Sequence, residues 1–203
     1  MKLLGAVIAG GQSTRMKGQD KLAAPWESGT LLGHITSRLH AQVQDVVVNI
    51  PEEKQGLLSN KLRRIAPDRP GRSAGPLAGL EAAMIYGSDH GFTHIVTTAG
   101  DTPFFPTDLV DRLMESHGEV RILRTGQYPQ PLFGMWPVGL RSSLSSFIDA
   151  AETFKVMAFA KKHDLSMVEL PASAADDAFF NVNTPADLDE AHARWRQRHM
   201  THV

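Results

Sequence analysis

Cysteine is absent from the 203 residues. That absence excludes disulfides, thiolate metal sites and cysteine nucleophiles, each of which needs a sulfur atom. Long apolar runs are missing as well. The opening stretch "MKLLGAVIAGG" is apolar for about ten residues, short of the roughly 18 that read as a membrane span. A secretory leader could use a core of this length, but basic residues follow instead of a small-residue cleavage region. A buried first strand is therefore expected, in a cytoplasmic protein. Charge of neither sign dominates: 21 Lys and Arg stand against 22 Asp and Glu, for a net charge of -1. No overall field favours nucleic acid or an anionic membrane, and neither is expected as a partner. The nine histidines lack HExxH or any other ligand spacing, and GxxxxGK[ST] and GxGxxG do not occur. The aromatics form no stripe suited to single-stranded nucleic acid.

What remains is a soluble globular composition, 42% apolar and 21% charged, in a length suited to one domain. Neither internal repeats nor low-complexity segments interrupt it. Apolar runs of strand length alternate with helical patterns. "LLGAVIA" is continuously apolar, as a strand covered on both faces is, and "DVVVNI" is a second such run. A short strand is expected around Leu62 to Ala66, and further strands at "HIVTTAG", "EVRILR", "PLFGMWPV" and, briefly, "FFNVN". Helices are expected over Leu31 to Leu39, over "LAGLEAAMIYG" with Gly87 closing it, and over "PTDLVDRLMESHG" with Thr107 as cap. Two more are expected over Leu140 to Ala151 and Phe154 to His163. A last helix should have Thr184 as cap, Pro185 in first position and Asp187 at its positive end. Strands alternating with helices predict an open, mostly parallel α/β sheet. In such sheets ligands sit where strands end, near a switch in strand order.

Three loops follow predicted strands. In "AVIAGGQSTRMKGQDK" Gly10 and Gly11 bring bare amides close to a ligand, while Arg15 and Lys21 supply positive charge. That combination suits phosphate; a tight strand-to-helix turn with solvated basic residues has the same composition. In "TTAGDTPFFP" Asp101 ends an apolar strand. A lone carboxylate there suits Mg²⁺, which takes one or two carboxylates and completes its shell with water and phosphate oxygens. An Asp making turn hydrogen bonds is the plainer reading. "PDRPGRSAGPLAG" is too rich in Gly and Pro for a helix or strand. It is either a shaped loop able to read a base or an ordinary connection.

Taken in order, these segments resemble the molybdenum cofactor guanylyltransferases, which join GMP to molybdopterin. The resemblance runs from about residue 4 to residue 190. It rests on Ile8-Ala9-Gly10-Gly11, Arg15-Met16 and Asp20-Lys21, then on "VVVN" ending at Asn49. It continues through Asp68 with "GPLAG", "GDTPF" with Asp101, and "FNVNTPADL". The resemblance implies a single α/β domain over 1–203 with a Rossmann-like nucleotidyltransferase fold, its mostly parallel sheet covered by helices on both faces. The nucleotide-binding part would span about 1–105 and the pterin side about 106–203.

It further implies GTP and molybdenum-bearing molybdopterin as substrates, Mg²⁺ as cofactor, and a molybdoenzyme or its chaperone as recipient of the product. The nucleotide would contact Ile8, Ala9, Gly10, Gly11, Lys21, Asn49, Asp68 and Asp101. Asp101 would also hold the metal, and Arg15 and Lys21 would stabilise the leaving pyrophosphate. Asn181 and Asn183 are candidates for the pterin side. Lys17 stands where the family usually has glycine, and Lys155 near where relatives often carry arginine. A cytidylyl relative typically has alanine at the first glycine, so Gly10-Gly11 points to guanine. The other readings are a nucleotidyltransferase using CTP or acting on a sugar phosphate, and a nucleotide-binding module without turnover.

Overall fold

Side chains alternate between the two faces of a strand, so a strand that is apolar throughout needs a cover on each. β1 (Leu3–Ile8) is buried along its whole length. Its Leu3 and Val7 join one core cluster and its Leu4, Ala6 and Ile8 another. The computed structural model describes residues 1–10, 20–27, 29–50, 52–57, 63–65, 74–150, 152–171 and 177–200. After β1 a short hairpin, β2 (Pro25–Trp26) and β3 (Gly29–Thr30), leads into α1 (Leu31–His40) and β4 (Asp45–Asn49). Next come β5 (Arg63–Ile65), α2 (Pro76–Asp89), β6 (His94–Ala99) and α3 (Leu109–Met114). β7 (Val120–Thr125), β8 (Tyr128–Pro137), α4 (Arg141–Ala150), α5 (Val156–Ala160), β9 (Leu165–Glu169) and α6 (Pro185–Met200) complete the order.

Seven strands form one sheet in the order β5-β4-β1-β6-β8-β7-β9. β8 alone runs against its neighbours, pairing antiparallel with both β6 and β7. The expected mostly parallel α/β sheet with helices on both faces is therefore present. Residues of α1, α3 and α6 pack in one core, and residues of α2, α4 and α5 in the other. Gly5 lets α1 lie close, since a Cβ there would stand 2.8 Å from Leu39 Cδ2. The chain leaves β1 toward β4 and β5 on one side, and α2 then carries it back to β6 on the other. That reversal puts a crevice beyond the carboxyl ends of β1, β4 and β6.

Four local expectations are corrected. Gly87 does not close α2, which runs on to Asp89; a Cβ there would meet Ile95 Cδ1 at 2.8 Å, so the glycine serves helix-to-sheet packing. The turn that follows uses Gly91, at φ 71°. α3 is shorter than its pattern, and Thr107 does not cap it. Asp108 stands at its start without a capping bond, its carboxylate held by Arg112 at 2.7 Å. "FFNVN" is not a strand, because its polar groups pair with Asp101 and Thr102, in the turn after β6, instead of a neighbouring strand. The edge strand β9, half-exposed and with little apolar contrast, was not among the expected strands. Among the described residues, no helix is long and apolar enough to cross a membrane.

Candidate active site

The crevice is built from three strand ends. Ala9 N–H donates to Asn49 O at 2.9 Å, and Gly100 N–H donates to Ile8 O at 3.0 Å, so all three ends are joined through backbone. Gly100 makes this approach possible, since a Cβ on it would lie 2.4 Å from the Ala9 Cβ. The Asn49 side chain, 5% exposed, is confined between two glycines. A Cβ on Gly10 would come 3.0 Å from Asn49 Oδ1, and one on Gly79, in the first turn of α2, 2.6 Å from it. Its amide donates to Ile65 O at 3.4 Å. The "GPLAG" segment thus places an α-helix amino end beside Asn49. Gly75 supplies the φ of 55° before it, and Pro76 fills the first position, where no N–H is needed.

Charge gathers at the end of β6. Lys21 Nζ donates to Asp101 Oδ2 at 2.7 Å and to Asn183 Oδ1 at 3.0 Å. Both ionic side chains are mostly shielded, Lys21 at 14% and Asp101 at 24% exposure. Lys21 rides on a 3₁₀ turn, Lys21–Ala23, whose cap is Asp20: Oδ1 accepts Leu22 N–H at 3.0 Å. The other Asp20 oxygen accepts from Lys54 Nζ at 2.8 Å.

The segment before α6 closes over this pair. Val182 N–H donates to Asp101 O at 2.8 Å. The buried Thr102 hydroxyl donates to Asn181 Oδ1 at 2.7 Å and lies 3.3 Å from Asp101 Oδ1. The segment is fixed in turn by a reciprocal helix cap. Asp187 Oδ2 accepts from Asn183 N–H and Thr184 N–H, and Thr184 Oγ1 accepts from Asp187 N–H. Burial works against ionisation of Asp187, yet these hydrogen bonds hold its carboxyl below the ordinary range.

Asp101 fits a metal of the kind that binds with phosphate. A hydroxyl has one proton, and Thr102 directs it along the shorter contact to Asn181. Asp101 Oδ1 therefore keeps lone pairs for a cation. The described residues contain no cluster of three or more metal-ligating side chains. An ion here would take the rest of its shell from phosphate and water, as Mg²⁺ commonly does.

Of the residues singled out in the sequence, Ile8, Ala9, Gly10, Lys21, Asn49 and Asp101 converge at these strand ends. Asn181 and Asn183 join them, both tied to the Asp101 side. Gly11, Arg15, Lys17 and Asp68 lie outside the described residues. Lys155 is exposed just before α5, with its N–H on Thr153 Oγ1 at 3.3 Å. Sequence reasoning did not single out Thr102 or Lys54. Thr102 could have been found as the neighbour of Asp101, whereas Lys54 belongs to no motif.

A family model described as the MobA-like NTP transferase domain matches residues 5–165. The molybdenum cofactor guanylyltransferase of Rhizobium leguminosarum bv. trifolii is 40% identical over 202 residues, covering 96% of this chain and 93% of that protein. Its namesake in Rhizobium johnstonii is 39% identical over 201 residues, covering 95% and 92%. Among solved structures, molybdopterin-guanine dinucleotide biosynthesis protein A from Archaeoglobus fulgidus has a TM-score of 0.73 at 22% identity, covering 97% of this chain and 100% of that one. A 4-diphosphocytidyl-2C-methyl-D-erythritol synthase from Anaerococcus prevotii has a TM-score of 0.67 at 10% identity, covering 96% and 99%. At such identities these two likenesses show the fold alone.

Proposed function

We propose, from the premise that this chain belongs to the molybdenum cofactor guanylyltransferases and so transfers GMP in molybdenum-cofactor dinucleotide synthesis, that Lys21 and Asp101 form the centre of the transfer. The observation that carries this is the 2.7 Å pair itself, at the switch point of the sheet, with Asp101 directly after the Gly100 that packs on Ala9. The substrates are GTP and molybdenum-bearing molybdopterin. An oxygen of the pterin's terminal phosphate forms a bond to the α-phosphorus of GTP. The bond from that phosphorus to its bridging oxygen breaks, and pyrophosphate leaves with the electron pair. A phosphate monoester is already ionised near neutral pH, so no general base is needed. Catalysis is then positioning and charge neutralisation.

In this reading the Gly10 backbone and Lys21 take the triphosphate, with Gly11 and Arg15 alongside. Asn49 and the first turn of α2 face the nucleoside, and Asp68 accepts from the N1–H and N2 amino groups of guanine. Asp101 would hold the divalent metal, which this reading takes to be Mg²⁺; when bound, the ion would offset phosphate charge. Asn183 and Asn181 stand on the pterin side of Asp101, so residues from about 106 onward serve the acceptor and those up to about 105 the nucleotide. The reaction belongs in the cytoplasm, with a molybdoenzyme or its chaperone receiving the product.

Thermal shift with Mg²⁺ and GTP, CTP, ATP or UTP in turn tests the reading. A ligand at about 100 times its dissociation constant stabilises by roughly 2.7 kcal/mol. Selective stabilisation by GTP, followed by release of pyrophosphate when the pterin is added, is the expected result. A preference for CTP would move the protein to cytidylyl transfer, and a response to no nucleotide would remove the transfer centre from this site.

A further inference from the structure

Lys54 lies in a short 3₁₀ segment, Glu52–Leu57, after β4, and belongs to none of the motifs read from the sequence. Its ammonium is 2.8 Å from Asp20 Oδ2, and the two side chains are only 18% and 22% exposed. Exposed ion pairs of this kind contribute little, because solvent screens them and both side chains lose freedom. This pair is about four-fifths shielded, and its carboxylate has a second task. Asp20 Oδ1 holds Leu22 N–H and so fixes the 3₁₀ turn that begins with Lys21. Asp20 is thus clamped from both oxygens, by backbone on one side and by Lys54 on the other.

We infer that Lys54 is a positioning residue for Lys21, acting through Asp20 and touching neither substrate nor metal. The chain of contacts is continuous: Lys54 to Asp20 at 2.8 Å, Asp20 to the turn at 3.0 Å, and Lys21 from that turn to Asp101 at 2.7 Å. Without Lys54, the Asp20 carboxylate loses one of its two fixed partners, and the turn carrying Lys21 is capped by a less restrained side chain. An uncompensated negative charge is also left one residue from the ammonium meant for phosphate. Both effects weaken the hold of Lys21 on its partners. The inference rests on reading Lys21 and Asp101 as the transfer centre, but the restraint on Lys21 can be measured without any nucleotide.

Limited reductive methylation of the nucleotide-free protein, read residue by residue by mass spectrometry, reports how tightly each ammonium is held. Exposed Lys155 and Lys161 serve as internal standards. In Lys54→Met, Lys21 should be modified about threefold to tenfold faster relative to those standards, while Lys54→Arg keeps the native rate. Asp20→Asn should act in the same direction, and the double variant should exceed Asp20→Asn by no more than about 1.5-fold, because contacts in one chain are not additive. In turnover, Lys54→Met should raise KM for GTP about threefold to tenfold with a smaller change in kcat, as expected for lost binding. An unchanged Lys21 rate in folded Lys54→Met, or full additivity with Asp20→Asn, would overturn the inference. Failure of the wild-type protein to turn over GTP would count against the proposed function, and the methylation rates would still decide the role of Lys54.

Discussion

Lys21 Nζ and Asp101 Oδ2 lie 2.7 Å apart, so the cation proposed for phosphate and the carboxylate proposed for metal hold each other. They come from segments 80 residues apart, after β1 and after β6. The ammonium therefore stands where a divalent ion would draw on the same carboxylate. On the proposed reading, binding of nucleotide and metal would have Lys21 exchange Asp101 for a phosphate oxygen.

This exchange predicts opposite effects of one substitution. Lys21→Met should raise the affinity of the nucleotide-free protein for Mn²⁺ by about tenfold, ~1.4 kcal/mol, while weakening GTP. Electron paramagnetic resonance of free Mn²⁺ during titration measures the first effect directly. An unchanged Mn²⁺ affinity would mean that the ammonium does not compete for Asp101.

Asp101→Asn keeps the size of the side chain and the chance of a bond to Thr102, but removes the charge. Turnover should fall by about 10²–10³, the usual loss when one preorganised electrostatic partner is removed. Circular dichroism and the melting temperature should stay close to native. Retention of most of the activity would take the metal role away from this residue.

Gly79→Ala isolates the role of Asn49. In a helix alanine is ordinarily favoured over glycine by about 1 kcal/mol, yet here its Cβ would stand 2.6 Å from Asn49 Oδ1 and 3.1 Å from Ile8 Cδ1. Overpacking of this kind costs about 1–3 kcal/mol. The variant should melt lower and bind GTP more weakly. Higher stability with unchanged affinity would show that Asn49 moves aside freely.

The parts of this arrangement legible in the sequence are those written in local pattern. β1, β4 and β6 are buried apolar runs, and the Thr184–Pro185–Asp187 cap is a short-range signal found in place. The glycines after β1 and in "GPLAG" likewise flagged close approach, which Gly10 and Gly79 show at Asn49. What depends on contacts distant in sequence was not legible. Gly87 looks like a helix stop but is a packing glycine, because the deciding neighbour is Ile95 on another element. "FFNVN" looks like a strand, but its hydrogen bonds go to Asp101 and Thr102. Lys54 carries no signal at all, since its partner is fixed only by the adjacency of the segments that follow β1 and β4.

The cap of α6 has its own acid signature. The Asp187 carboxyl is held below its ordinary range, so the native state binds its proton less readily than the unfolded chain does. Its stabilisation is complete above the unfolded value of about 3.9 and is lost as pH falls through the folded value. The stability gap between wild type and Asp187→Asn should therefore be full at neutral pH and shrink below about pH 4. Thr184→Ala should cost about 1 kcal/mol. Denaturant melts at a series of pH values check both; a gap that does not vary with pH would mean that charge plays no part in the cap.

The bond from Lys21 to Asn183 joins residues 162 positions apart. A chain synthesised from its amino end can lay down β1, β4 and β6 well before Asn183 exists. Until then Lys21 has Asp101 but lacks its second partner. The last joint of the centre is thus made after all its other parts, and the Lys21 charge has both of its partners only once the "NVN" segment has docked.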